Sequence, residues 1–235
     1  MTIAILPARG GSKRIPAKNY REINGIPTIC RTIEVLQKSQ IFARIVVSTD
    51  HPKISELALS VGAEVPFQRP SELSDDHTTT KQVVQHTIQE LKVSDIGTAV
   101  CCVYPTAVLL KPDSLRRSLR LLQENPSMFV VPVQHFSHPI SRAMRIRDNA
   151  LEPLNAEMAI TRTQDCDDFV HDAGQFYWGT VSSWQSDLNI LGTSAVPFSI
   201  PTSEGLDVGH ILVTAKQRGD ANPFEASAAP FRIFS

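Results

Sequence analysis

Three runs in the first half of the chain, Thr2–Leu6 (TIAIL), Arg44–Thr49 (RIVVST) and Thr98–Tyr104 (TAVCCVY), are apolar at consecutive positions rather than at every second one. Successive residues of a strand point to opposite faces, so each run needs cover on both sides. Helix-patterned stretches separate them. Ile29, Ile33 and Leu36 share one face of Thr28–Lys38, and Ile54, Leu57, Ala58 and Val61 one face of Lys53–Val61, which Gly62 terminates. Val83, Val84, Thr87, Ile88 and Leu91 face inward from Thr79–Leu91. Pro112 opens a helix over Pro112–Leu122 with Leu115, Leu119 and Leu122 on one side. Strand–helix alternation with doubly buried strands predicts an α/β fold with a mostly parallel sheet and helices on both faces.

Val65–Phe67 reads as a further short strand, and Met128–Val133, Gln175–Gly179 and Val196–Ile200 as later ones. Gln134–Arg162 has no periodicity, and a last helix is expected near Gly209–Gln217, before an Ala/Pro-rich tail. The expectation is a single domain over 1–235 with an inserted lobe at about 128–172. Residues Phe176 and Trp178 alternate with Gln175 and Tyr177 and read as core. A chain of 235 residues buries roughly 70–75% of its unfolded surface and needs no staples.

Charge narrows the function classes. Lys+Arg is 23 and Asp+Glu 24, a net charge of −1, so no global field favours nucleic acid or a membrane surface. Any anion site must be local. The N-terminus MTIAILPARGG lacks the basic and apolar regions of a signal peptide, and no stretch has the length of a membrane span. Cys30, Cys101, Cys102 and Cys166 form no CxxC and read as free, buried thiols. A cytoplasmic protein is expected.

The local anion site falls directly after the first strand. Pro7–Asn19 (PARGGSKRIPAKN) carries Arg9, Lys13, Arg14 and Lys18 with Gly10 and Gly11. Glycines let backbone N–H groups approach a phosphate, and the cations neutralise it. The loop lies where ligands bind in open α/β sheets, outside the carboxyl ends of strands. It is neither a Walker A loop nor a GxGxxG fingerprint. Lys13 and Arg14 fit either phosphate contact or solvation.

LPARGGSKRIPAKN, VSTD at 47–50 and RPSELSDD at 69–76 resemble the cytidylyltransferases that make CMP-activated nonulosonic acids. CCVYPTA, HPISRAM, RTQD and DAGQFYWG resemble the branch acting on pseudaminic acid, and the likeness runs from residue 2 to about 218. It implies a Rossmann-like nucleotide-diphospho-sugar transferase fold. It also implies a reaction in which the anomeric hydroxyl of a nine-carbon sugar acid attacks the α-phosphorus of CTP, with Mg²⁺ as cofactor and pyrophosphate as leaving group. Positioning and charge stabilisation carry such a transfer. By the same resemblance, Leu6, Ala8, Arg9, Gly10, Gly11, Ser12, Lys18, Asn19, Arg69 and Thr80 bind the nucleotide. Arg9 and Lys18 serve catalysis with Asp207, and a homodimer forms through the lobe. Alternatives remain: N-acetylneuraminic acid as the acceptor, or a non-catalytic CTP-binding protein.

A sugar acid needs a cation for its carboxylate, and Arg suits bidentate binding. Arg142 and Arg162 are the candidates, against surface ion pairs. Tyr104, Asp172, Gln175 and Tyr177 suit the sugar pocket, because apolar faces with polar tips fit acylated sugars. Arg69 has an ion pair with Glu72 or Asp76 as its alternative. Asp50 reads as a loop cap, and Asp75 and Asp76 as electrostatic support for the next helix. His135 and His138 form HxxH in a loop and read as polar loop side chains rather than metal ligands. Family members carry Asp-x-Asp before the last helix to hold Mg²⁺. Here the stretch is Glu204-Gly205-Leu206-Asp207, so Asp207 is the expected metal ligand, Gly205 replaces the other carboxylate, and Glu204 is a possible substitute.

Overall fold

The structure is a computed structural model that describes residues 1–11 and 15–205. In chain order the strands and helices are β1 (Thr2–Pro7), β2 (Glu22–Ile23), β3 (Ile26–Pro27), α1 (Thr28–Ser39), β4 (Arg44–Ser48), α2 (Pro52–Ser60), α3 (Thr80–Glu90), β5 (Ala99–Val103) and α4 (Pro112–Glu124). They continue as β6 (Phe129–His135), β7 (Met144–Arg147), β8 (Ala150–Pro153), α5 (Ala156–Ala159), β9 (Val170–Asp172), β10 (Phe176–Thr180), α6 (Val181–Gln185) and β11 (Ala195–Ser199).

A seven-stranded sheet runs in the order β11-β6-β10-β5-β1-β4, with β9 also paired to β6. β1 is parallel to β4 and β5, and β11 is parallel to β6. β10 lies antiparallel to both β5 and β6, so the sheet is mixed at its centre. The unalternating strands are covered on both faces. Ala4, Leu6, Val47, Cys101, Val103, Phe176 and Trp178 pack with α1, α2 and α4, while Ile3, Ile5, Val46, Val100, Cys102 and Tyr177 pack with α3 and α6. Trp178 is fully buried, and its indole N–H donates to Ser118 Oγ at 2.9 Å.

Local chemistry accounts for the helix starts. Thr79 caps α3 in a capping box with Gln82, and Pro112 opens α4. Gly62 follows α2 at φ +83°, where its missing Cβ removes the strain. The expected strand at Val65–Phe67 is absent. Only isolated parallel bridges join Val46 to Glu64 and Thr49 to Gln68, because Pro66 has no N–H to continue the ladder.

The expected irregular stretch Gln134–Arg162 holds the β7–β8 hairpin, all eight of whose residues are exposed. Cys166 is half-buried rather than buried, and all four cysteines are free. No helix among the described residues is long and apolar enough to cross a membrane. The expected helix at Gly209–Gln217 lies outside the described residues.

Candidate active site

From β1 the chain reaches β4 on one side and later β5 on the other. A crevice opens at such a reversal, outside the carboxyl ends of the strands. There the structure has a cleft of about 280 Å³ lined by Pro7, Lys18, Asn19, Tyr104, Pro105, Thr106, Asp172, Gly174 and Tyr177. The cleft brings together two sets of residues far apart in sequence. Lys18 and Asn19 come from the expected nucleotide loop, and Tyr104, Asp172 and Tyr177 from the expected sugar pocket. Pro105, Thr106 and Gly174 were not singled out from sequence, although Pro105 and Thr106 directly follow the end of β5.

The basic loop is fixed by its neighbours. Ala8 N–H donates to the Ser48 carbonyl at 2.9 Å, and Gly10 N–H to Asp50 Oδ1 at 2.8 Å, so Asp50 caps this loop. A Cβ on Gly10 would stand 2.4 Å from the His51 ring, so glycine is required there. His51 in turn caps α2 and stacks on Tyr20. Asn19 Nδ2 donates to the Arg9 carbonyl at 2.9 Å, closing the loop above buried Leu6 and Ala8. Ala17, just before Lys18, is held at φ +58°, an uncommon conformation for a residue with a side chain. Gly11 is exposed, and Ser12 lies outside the described residues.

The alternative reading of Arg69 as an ion-pair partner of Asp76 does not hold. Arg9, rather than Arg69, meets Asp76, at 2.8 Å, and also donates to the Asp75 carbonyl at 2.5 Å. Arg69 is buried and donates to the Ser48 hydroxyl at 3.1 Å and to the Ser48 carbonyl. Burial lowers its pKa to about 10, offset in part by Asp50. Asp75 lies just before the start of α3. Its carboxylate accepts from Thr78 N–H and Oγ1, both at 2.7 Å, and these bonds hold its pKa below the usual value.

On the sugar side two polar pairs meet through aromatic rings. Thr80 Oγ1 lies 2.8 Å from Tyr104 OH, the Tyr104 and Tyr177 rings meet edge-on with centroids 5.7 Å apart, and Tyr177 OH donates to Asp172 Oδ2 at 2.5 Å. Asp172 Oδ1 accepts from Gly174 N–H at 2.9 Å. Burial pushes the Tyr104 hydroxyl up to about 12 and Tyr177 further still, so both stay protonated at neutral pH. Gln175 is buried behind the cleft, its Nε2 donating to the Ala173 carbonyl at 3.4 Å. Arg142 donates to Thr163 Oγ1 at 2.8 Å, and Arg162 is exposed on the lobe. Neither lines the cleft, and Lys18 is the cation among its lining residues.

Glu204 is not placed to replace a metal carboxylate. It is buried, accepts from Ser114 Oγ at 2.6 Å and pairs with Lys111 at 3.4 Å. A Cβ on Gly205 would fall 2.2 Å from Gln134 Nε2, whose amide donates to the Pro201 carbonyl. Asp207 lies outside the described residues. Among the described residues no group of three or more His, Cys, Asp or Glu side chains is arranged to hold a metal ion. His135 pairs with Asp168 at 3.0 Å, and His138 Nδ1 contacts the Ser137 carbonyl.

A cation-bearing loop at the strand reversal, facing polar-tipped aromatics, suits nucleotidyl transfer, and the chain is an enzyme of that class. It belongs to the cytidylyltransferase family, whose model matches residues 3–174. Its relatives include the pseudaminic acid cytidylyltransferase of Campylobacter jejuni, 37% identical over 211 residues, with 89% of this chain and 91% of that protein covered. A Helicobacter pylori protein, named both pseudaminic acid cytidylyltransferase and UDP-2,4-diacetamido-2,4,6-trideoxy-beta-L-altropyranose hydrolase, is 30% identical over 95% of this chain and 43% of its own length. The fold matches CMP:2-keto-3-deoxy-manno-octonic acid synthetase complexed with CTP at a TM-score of 0.65 and 16% identity, covering 93% of this chain and 98% of that one.

Proposed function

We propose that this protein transfers CMP from CTP to the anomeric hydroxyl of a nonulosonic acid, pseudaminic acid, with release of pyrophosphate. The observation that carries this reading is the single cleft in which Lys18 and Asn19 face Tyr104, Asp172 and Tyr177. Its two sides suit a phosphate and an acylated sugar. The Campylobacter relative supports the choice of sugar acid. Arg9, Gly10, Gly11, Ser12, Arg69 and Thr80 belong to the nucleotide side, and Arg142 and Arg162 are the lobe's candidates for the substrate carboxylate.

Mg²⁺ is the proposed cofactor, with Asp207 as its carboxylate ligand. It is a hard ion that accepts one or two carboxylates and takes its remaining oxygens from phosphates and water. When bound it supplies charge neutralisation at the triphosphate. Asp207→Asn is expected to raise the Mg²⁺ requirement strongly while leaving metal-free CTP binding intact. The protein works as a homodimer in the cytoplasm. In favour of the dimer stands the apolar exposure of the lobe, where Met144, Ile146, Leu151, Leu154 and Ile160 are 60–88% exposed.

Pyrophosphate release from CTP, measured with a panel of sugar acids, tests the function. Pseudaminic acid is expected to give the highest kcat/KM. Faster turnover of N-acetylneuraminic acid would overturn the sugar assignment. CTP binding with no release from any acid would leave a non-catalytic nucleotide-binding protein.

A further inference from the structure

Transfer to a hydroxyl requires a group that takes the hydroxyl's proton. Four described side chains lining the cleft can titrate: Lys18, Tyr104, Asp172 and Tyr177. Both tyrosines are buried phenols that keep their protons at neutral pH, which makes them donors. Lys18 is the cation of the phosphate side. That leaves one carboxylate.

Asp172 ends β9, where its backbone is held in register opposite Val133 of β6. Its side chain is aimed by two donors, Gly174 N–H at 2.9 Å on Oδ1 and Tyr177 O–H at 2.5 Å on Oδ2. A carboxylate has about four acceptor positions, so two fixed donors orient it and leave lone pairs available. The left-handed backbone of Gly174, at φ +60°, presents that N–H. Tyr104, edge-on to Tyr177, pairs with Thr80 toward the nucleotide side.

We propose that Asp172 is the general base of the reaction, an assignment that rests on the function proposed above. The anomeric oxygen forms a bond to the α-phosphorus as its proton passes to an Asp172 carboxylate oxygen. The bond from the α-phosphorus to the oxygen bridging to the β-phosphate breaks, and pyrophosphate leaves with that electron pair. Solvent reaching the open cleft then takes the proton from Asp172. The charged and titratable groups facing Asp172 are Lys18 from the basic loop, Tyr104 from the end of β5, Tyr177 from β10 and, on its own strand, His171. The His171 Nδ1 lies 2.9 Å from the Asp172 carbonyl oxygen.

The test is the pH dependence of kcat and KM for the full chain with CTP, pseudaminic acid and Mg²⁺, in wild type, Asp172→Asn and Tyr177→Phe. Wild type should lose kcat/KM for the sugar acid toward low pH with unit slope. Asp172→Asn should lower kcat by about 10²–10⁴-fold and abolish that limb, with calorimetric CTP affinity unchanged. Tyr177→Phe removes one of the two donors that aim the carboxylate. Its kcat should fall about 10- to 100-fold with calorimetric CTP affinity unchanged. Turnover of Asp172→Asn within about threefold of wild type, or an unchanged limb, would overturn the assignment. If Asp172→Asn loses CTP binding through misfolding, Tyr177→Phe decides: a lowered kcat at unchanged CTP affinity supports the base, and a kcat equal to wild type removes it. Failure of wild type with every sugar acid would overturn the function and this assignment together. Normal wild-type turnover with an active Asp172→Asn overturns the assignment alone.

Discussion

Arg9 and Lys18 stand on the same loop and meet different surroundings. Arg9 is held outside the cleft lining by Asp76, at 2.8 Å, while Lys18 lines the cleft itself. Each brings a cation to the proposed triphosphate site. A hydrogen bond to a charged group is worth about 1.5–3 kcal/mol, so Arg9→Ala and Lys18→Ala should each weaken CTP binding roughly 10- to 150-fold by calorimetry. Unchanged affinity in both variants would remove the nucleotide from this loop. Tyr104 carries a second test at this scale. Its folded pKa is about 12, against an ordinary value of 10.0. The stability tied to its protonated form is therefore complete below pH 10 and lost as pH rises toward 12. Tyr104→Phe should flatten the fall of Tm across that window relative to wild type, and an equal fall in both proteins would place Tyr104 in solvent. These roles were unevenly legible in the sequence. The density of cations and glycines in Pro7–Asn19 marked the loop, but the pairing of Arg9 with Asp76 spans 67 positions and no local pattern encodes it. Glu204 had the right chemistry for a metal and the wrong surroundings, which only packing against Ser114 and Lys111 reveals.

At the scale of elements, strands that are apolar at every position read clearly, because burial on two faces leaves a compositional mark. Direction leaves none. β10 runs antiparallel between β5 and β6, and its run Phe176–Thr180 would look the same in a parallel strand. The β7–β8 hairpin escaped the sequence reading because no core-facing alternation marks it: Arg145, Arg147 and Glu152 alternate with apolar residues that are themselves exposed. β10 also contains a sharp packing test. A Cβ on Gly179 would stand 2.8 Å from the Phe129 ring, itself edge-on to Trp184 with centroids 5.0 Å apart. Gly179→Ala should destabilise the protein by about 1–3 kcal/mol through overpacking, read as a lowered Tm or denaturation midpoint. A Tm equal to that of wild type would mean that the Phe129–Trp184 pair yields freely.

At the scale of the molecule, the lobe carries a hairpin whose apolar residues are exposed along with its charged ones. A two-stranded hairpin with no buried face is marginal on its own in water. Ile146 and Leu151 oppose each other across β7 and β8 and are 77% and 67% exposed. A second copy is expected to cover them, giving a species of twice the 25.9 kDa chain mass by sedimentation. Replacing the pair with Ile146→Lys and Leu151→Glu keeps a favourable cross-strand contact while removing the apolar surface, and should yield monomers. A wild-type monomer at micromolar concentration would contradict the dimer. The central claim is the transfer itself, and product analysis tests it most directly. Purified protein is incubated with Mg²⁺, equal amounts of CTP and UTP, and equal amounts of pseudaminic and N-acetylneuraminic acids, and the nucleotide conjugates are identified by mass. CMP–pseudaminic acid is expected as the dominant conjugate, formed one-for-one with pyrophosphate. A conjugate carrying UMP, a preference for neuraminic acid, or no conjugate at all would contradict it.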